Sequence, residues 1–433
     1  MANIVLKGNT SGSITIASPD VSGVNVLTLP VETGTILTTN TPLPEVSSVE
    51  FAGAGTSSGN ITITAPDTDE TNTLTFPETT GTFAIENSLG MRNRIINGNM
   101  AIDQRNGSAS ITPTNQQYSV DRWTCLLSIN AKYTIQKNAG SVTPPVGFTN
   151  YLGVTSTSAY SVGSADYFIL RQMIEGSNIT DLNWGTAEAK TITLSFWARS
   201  SLTGAFGGSV QNGASSRSYP FTYTISLANT WEYKTIAIPG DTSGTWLTTN
   251  GIGIKLNFNL GNGSNYNGTA GAWAGVNYHS ATGATSVVGT SGATFYVTGI
   301  QLETNTATPF EHLQYGTQLL LCQRYYEKSY SIGVAPTTNT ALGAVTLTVN
   351  STITGYMAGS RPFVVSKRAI PTIIIYSPSG SSGTVADGNT TNYKVGAALQ
   401  TGTAGFSLQN TSGVTYTPVS NLIYFHFIAD AEL

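Results

Sequence analysis

Between residues 261 and 292 the chain carries Tyr266, Trp273, Tyr278 and His279, interleaved with Asn262, Asn265, Asn267 and Asn277. Aromatic faces stack on the C–H groups of a pyranose, and amides match its hydroxyls. The combination suits a glycan-binding surface. The competing reading is that Trp273 and the tyrosines pin down a long Gly/Asn/Ser/Ala loop. A second set, Asn389, Tyr393 and Tyr416 with Asp387, Asn392 and Asn410, lies in loop segments of the last hundred residues. Loops on a rigid β scaffold are where recognition residues gather.

Residues suited to catalysis are less persuasive. Gly55-Thr56-Ser57-Ser58-Gly59 fits the nucleophile-elbow pattern, but it sits in a Ser/Gly linker. An elbow needs a buried strand before it and a helix after it. His279, His312 and His426 are the three histidines, and none has ligand spacing to another histidine or to a cysteine, so zinc and haem sites are not expected. Asp103, Asp121, Asp166, Glu175, Asp181, Glu232, Asp241 and Glu303 could supply a two-carboxylate glycosidase pair. Such a pair is defined by separation in space, and nothing in the sequence marks one. The chain is expected not to be an enzyme, with glycan cleavage as an alternative.

The elements that must position these residues are strands. SITIASPDVSGVNVLTLPVETGT, residues 13–35, is repeated as NITITAPDTDETNTLTFPETTGT, residues 60–82. Each copy has apolar residues at spacing two, a Pro-Asp turn and a closing proline. Four apolar side chains per copy cannot form a core alone, so neighbouring chains must bury them. Residues 1–47 and 48–90 therefore read as two segments of an oligomeric β shaft.

From 91 to 310 the aromatic content rises, and all six tryptophans fall here. Strand candidates recur at 132–137, 166–174, 190–200, 221–227, 233–239, 251–260 and 293–303, which predicts a jelly-roll β-sandwich. Trp197 and Trp231 fall within or beside apolar strands, a core placement. Tyr315, Leu319, Cys322 and Tyr326 step by one helical seam, predicting a connecting helix over 311–329. At that length it must pack on the sandwich or on copies of itself. Residues 330–433 read as a distal β domain. In its last strand Leu422, Tyr424, His426 and Ile428 alternate with Ile423, Phe425, Phe427 and Ala429, so both faces are partly apolar. The fold class is all-β.

Of the 433 residues 10% are charged and 39% hydrophobic, against roughly 25% charged in an ordinary soluble domain. With 19 Lys and Arg, a net charge of −4 and no basic run, nucleic-acid binding is not expected. No apolar stretch is long enough to insert in a membrane. The N-terminal MANIVLKGNTSGS lacks the pattern of a signal peptide. Cys125 and Cys322 are expected to be free buried thiols.

Six strings, NRIINGNMAIDQRNGS (93–108), YSVDRW (118–123), FYVTGIQLE (295–303), TPFE (308–311), LLLCQRYYEKSY (319–330) and ADAEL (429–433), resemble those of a family of bacteriophage tail fibre proteins of marine and cyanobacterial phages. SFWARSS (195–201), WEYKTIAIPGDTSGTW (231–246) and the closing VTGIQLE are similar to carbohydrate-binding jelly-roll modules. The resemblance implies a homotrimer, attached to the virion tail or an adaptor protein by its N-terminus. It implies assembly in the host cytoplasm and action outside the cell on host-surface polysaccharide, with the distal domain as receptor-binding tip. A head fibre or capsid decoration protein with the same domains is the alternative placement. Jelly-roll modules of this kind often bind a structural calcium, for which Asp103, Asp121 and above all Glu303 are the candidate ligands. Otherwise these carboxylates cap turns or pair with Arg105 and Arg122. No other cofactor is implied.

Overall fold

Clean alternation, as in Thr191–Phe196 and Ile252–Phe258, places every second side chain on one face of a strand. In the computed structural model both segments are sandwich strands. The structure describes residues 4–7, 13–16, 48–52, 60–64, 91–348, 360–387, 393–409 and 422–433. It falls into two units, Met1–Phe83 and Ala84–Leu433.

In the first unit Ile4–Lys7 pairs with Ser13–Ile16, and Ser48–Ala52 with Asn60–Thr64, as two antiparallel ladders. The repeated segments SITI and NITIT thus each pair with a strand that precedes them. The Leu27–Leu29 and Leu74–Phe76 stretches lie outside the described residues.

The second unit begins with a two-sheet antiparallel sandwich. One sheet runs Glu232–Ile238, Ile192–Ser200, Thr294–Thr304, Leu152–Ser156, Tyr133–Lys137. The other runs Ser218–Ile225, Gly204–Asn212, Ile252–Asn262, Tyr167–Glu175, Trp123–Leu127, Gln117–Tyr118. Phe168, Leu170, Leu194, Phe196, Phe206, Leu256, Phe258, Phe295 and Val297 fill the core between them. All seven predicted strands are present. Trp197 and Trp231 are only half-buried. They pack on Tyr233 and Tyr151 at ring distances of 5.4 and 5.5 Å and not in the main core.

The helix is shorter than the predicted 311–329. It spans Tyr315–Gln323, and the chain then turns into the strand Tyr326–Lys328. Cys322 is buried on it, as is Gln318, whereas Tyr315 is 53% exposed. Tyr326 leaves the expected seam because its backbone pairs with Asp430. Strand pairing there satisfies the N–H and C=O groups that a longer helix would have used.

In the C-terminal β domain Leu422–Asp430 is the hub. It pairs with Tyr326–Lys328, Val345–Thr348, Thr372–Tyr376 and Thr384–Asp387. Ile423, Phe425, Phe427 and Ala429 are buried on one face, and His426 on the other, as the double alternation predicts. The His426 ring stacks on Tyr330 at 3.7 Å and bonds Ser329 and the Thr340 carbonyl. Cys125 and Cys322 are free and buried.

Candidate functional site

The outward face of the six-stranded sheet is polar and nevertheless buried. Register aligns Thr124, Arg171, Asn257 and Ser209 in one row across four strands. Met173, Lys255 and Gln211 form the next row. Their neighbours Leu170, Leu256, Phe258 and Val210 point into the core, so these side chains must point away from it. Arg171 Nε donates to Asn257 Oδ1 at 2.6 Å and Nη2 to Gln211 Oε1 at 3.2 Å. Asn257 Nδ2 donates to Ser209 Oγ at 2.9 Å and to Gln211 Oε1 at 3.0 Å. Lys255 Nζ donates to Ser215 Oγ at 2.8 Å.

The loop over this face brings two of the four aromatic candidates, Tyr266 and His279, into contact, while Tyr278 meets the sheet through its carbonyl. Gln211 Nε2 donates to Asn277 Oδ1 and to the Tyr278 carbonyl, at 2.8 and 2.9 Å, tying the loop to the sheet. Tyr266 and His279 stack with ring centres 4.8 Å apart and planes 2° from parallel. Tyr167 meets both edge-on, at 5.3 and 5.6 Å. Gly207 shows how closely the loop approaches: a Cβ there would lie 2.4 Å from Ser280 Oγ. His279 Nδ1, Ser280 Oγ, Asn262 Nδ2 and Asn267 Oδ1 are buried without hydrogen-bond partners.

The electrostatics follow from burial beside like charge. Burial lowers Arg171 to about 10. Burial and then Arg171 lower Lys255 to about 8. Burial, Arg171 and Lys255 together push His279 down to about 3, so its ring is neutral at pH 7. For Lys255 the folded value lies below the unfolded value near 10.4. Between the two the unfolded chain binds more protons, so stability rises with pH in that window. K255M is expected to abolish this rise, about 1–3 kcal/mol between pH 8 and 10. Denaturant melts of both proteins across that range, compared as a difference, provide the check.

Trp273 sits elsewhere. Its ring meets Trp184, Trp246 and Tyr219 at 5.4, 5.5 and 5.2 Å, and Nε1 donates to the Pro239 carbonyl at 2.8 Å. Arg217 lies beside this cluster, in a two-bond pair with Asp241 at 2.7 Å each. These contacts anchor the loop. Tyr393 lies on the strand Tyr393–Val395; Asn389 and Tyr416 fall outside the described residues.

The sandwich carboxylates have protein partners. Asp181 pairs with Arg94, Asp241 with Arg217, Glu232 with Lys234 and Glu175 with Arg324. Asp166 accepts from Tyr160, Ser128 and Gly163 N–H. The three candidate calcium ligands each accept hydrogen bonds from the chain. Asp103 accepts the N–H groups of Arg105, Asn106 and Ser108. Asp121 accepts twice from Gln104, and Glu303 accepts from Gln301 and twice from Thr308. No cluster of three or more His, Cys, Asp or Glu with metal-binding geometry occurs among the described residues.

The six motif strings converge on framework contacts away from the loop aromatics. Asn93 accepts from Leu302 N–H and donates to the Ile300 carbonyl. Glu311 accepts from Asn93 N–H, and Gln301 Oε1 from Glu311 N–H. The other strings build a joint between the sandwich and the C-terminal domain. Glu432, whose side chain is 5% exposed, bridges Arg105 at 2.8 Å and Arg122. The Arg105 guanidinium lies 3.7 Å over Tyr326, and that of Arg122 3.5 Å over Tyr325. Arg324 and the Tyr325 hydroxyl both donate to Glu175. Burial raises Asp121 to about 6 there, against the opposing pull of Arg105 and the Gln104 hydrogen bonds.

No family model matches the chain, and no curated protein matches it significantly. Among solved structures it is similar to the enzymatically active domain of tailspike protein 4 of bacteriophage CBA120, at 12% identity and a TM-score of 0.28, over 49% of this chain and 21% of that one. The chain thus spans about a fifth of the tailspike domain. It is also similar to the family 11 carbohydrate-binding module from Clostridium thermocellum, in complex with a β-1,3-1,4-mixed-linked tetrasaccharide, at 13% identity and a TM-score of 0.24, over 46% and 96%. A third is TmCBM61 in complex with β-1,4-galactotriose, at 11% identity and a TM-score of 0.26, over 49% and 99%.

Proposed function

We propose that the chain is a bacteriophage fibre protein that binds host-surface glycan and does not cleave it. The observation that carries this reading is the polar sheet face under an aromatic loop, where amides, hydroxyls and tyrosine rings meet. Those groups suit sugar hydroxyls and ring faces. The non-catalytic half is supported by the sandwich carboxylates, whose ion pairs and N–H bonds hold them in structural roles. Glycan cleavage requires two carboxylates facing one bond.

We also propose that the chain is a homotrimer, a reading the helix supports. Leu320 and Leu321 are 45% and 37% exposed, beside Leu313 and Tyr315, and a second copy would remove this apolar surface from water. The repeated N-terminal ladders agree with it, since two short strands need neighbours to persist. Three sites per fibre would multiply a weak single-site affinity. Among the described residues no helix is long and apolar enough to cross a membrane.

Sedimentation of the full chain is expected to give three times 45.4 kDa. A clean monomer at micromolar concentration would sink the trimer. Incubation with host polysaccharides is expected to show retention without new reducing ends. Release of reducing ends would make the protein a depolymerase instead.

A further inference from the structure

The polar sheet face holds two buried cations, Arg171 and Lys255, with His279 of the loop above them, and its acid, Glu175 at the end of the Arg171 strand, is taken by Arg324. Arg171, Lys255 and His279 are 7%, 9% and 4% exposed. Arg171 reaches only the amide oxygens of Asn257 and Gln211, and Lys255 only the hydroxyl of Ser215. Among the described residues no carboxylate pairs with either cation. Three buried cations elsewhere have carboxylate partners, Arg94 with Asp181, Arg122 with Glu432 and Lys367 with Glu327, whereas Lys328 is met by the Ile332 and Val334 carbonyls. An unpaired buried cation is costly. Such groups gather where a ligand brings the missing charge.

Donors remain for that ligand. Arg171 Nη1 has no partner among the described residues, and Lys255 uses one of its three ammonium hydrogens. His279 Nδ1 is unpartnered as well. Because Arg171 pairs with Asn257 and Met173 with Lys255, Arg171 and Lys255 are diagonal neighbours on one face. That spacing is about 7–8 Å, within reach of one acidic group and an adjoining hydroxyl of the same sugar. A guanidinium fork matches the planar or tetrahedral oxygens of a carboxylate or sulfate.

We propose that this face binds an acidic sugar, with Arg171 and Lys255 holding its carboxylate or sulfate and the Tyr266–His279 stack walling the ring. This rests on the glycan-binding reading above and adds the charge of the ligand.

The test uses the full chain and a panel of polysaccharides: alginate and polygalacturonate for carboxylates, dextran sulfate and carrageenan for sulfates, dextran and laminarin as neutral probes. At least one acidic class is expected to bind tenfold or more tighter than the neutral probes. R171Q and K255M are each expected to weaken that binding at least tenfold. K190Q, which removes an exposed charge, is expected to leave it unchanged. Because R171Q strips two amides of a partner and can lower the melting temperature, K255M serves as the second variant, expected to melt no lower than the parent. Binding confined to the uronates assigns a carboxylate; binding confined to the sulfated probes assigns a sulfate. Neutral probes binding as tightly as acidic ones, or both variants binding like the parent, would overturn the acidic site and leave glycan binding standing. Retention of no probe at all would overturn both.

Discussion

Replacing Glu432 by alanine is expected to destabilise the second unit by about 3–5 kcal/mol, the usual cost of removing one partner from a buried pair. Glu432 is the carboxylate shared by Arg105 and Arg122, both of which are nearly enclosed. Without it, Arg105 keeps Asp430 at 3.2 Å. Arg122 keeps only the Met173 carbonyl and the face of Tyr325. A guanidinium cannot escape by losing its proton, so the charge stays buried and unpaired. All six tryptophans lie in 91–310, so their fluorescence reports the sandwich alone, while circular dichroism reports both domains. Denaturant melts of Glu432→Ala are expected to shift by both probes, because the lost carboxylate belongs to the joint between them. A shift below about 1 kcal/mol would mean that the joint is wet and screened.

Replacing Glu327 by alanine is expected to cost a similar amount, about 3–5 kcal/mol, but to act in one domain. Lys367 is 0% exposed at its side chain, and Glu327 2%. The ammonium donates to Glu327 Oε2 at 2.6 Å, to the Gln323 carbonyl at 2.6 Å and to the Val365 carbonyl at 2.8 Å. Glu327 in turn accepts Val364 N–H. Burial already lowers Lys367 even with its carboxylate present. Removing Glu327 lowers it further, and Lys367 answers by deprotonating. The variant's stability should then rise with pH between that lowered value and the unfolded value near 10.4, since the unfolded chain holds the extra proton there. Circular dichroism is expected to show an early transition that tryptophan fluorescence misses. The double change Glu327→Leu with Lys367→Met should recover most of the loss. A single transition seen equally by both probes would show that the two domains unfold as one.

Much of the sandwich was legible in the sequence because alternation is local. Ile252–Asn262 and Tyr167–Glu175 announce themselves within one strand. Gly204–Asn212 does not: GAFGGSVQN is absent from the strand candidates, yet it forms a nine-residue strand. Its glycines answer to neighbours distant in sequence, since a Cβ on Gly208 would lie 2.2 Å from the Asn257 carbonyl. The polar face left a signal that went unread. Arg171 and Lys255 interrupt strands of a weakly charged chain, and a charge inside a half-buried strand calls for a partner. The joint was out of reach, because Glu432 meets Arg122 across 310 positions and no local rule connects them. The helix is shorter than its seam implies because Tyr326 continues the apolar spacing of Tyr315, Leu319 and Cys322 but is taken over by strand pairing.

The joint also fixes where the C-terminal domain begins and ends. The chain leaves it along Tyr326–Lys328 and returns along Ile428–Asp430, and these two stretches are hydrogen-bonded partners. Both ends are therefore held one strand spacing apart, about 5 Å, on the same plate of arginines and tyrosines. A further contact between the C-terminal domain and the sandwich is the exchange of hydrogen bonds between Arg368 and Asn250. The two ends of the C-terminal domain are thus presented to the sandwich as one strand pair.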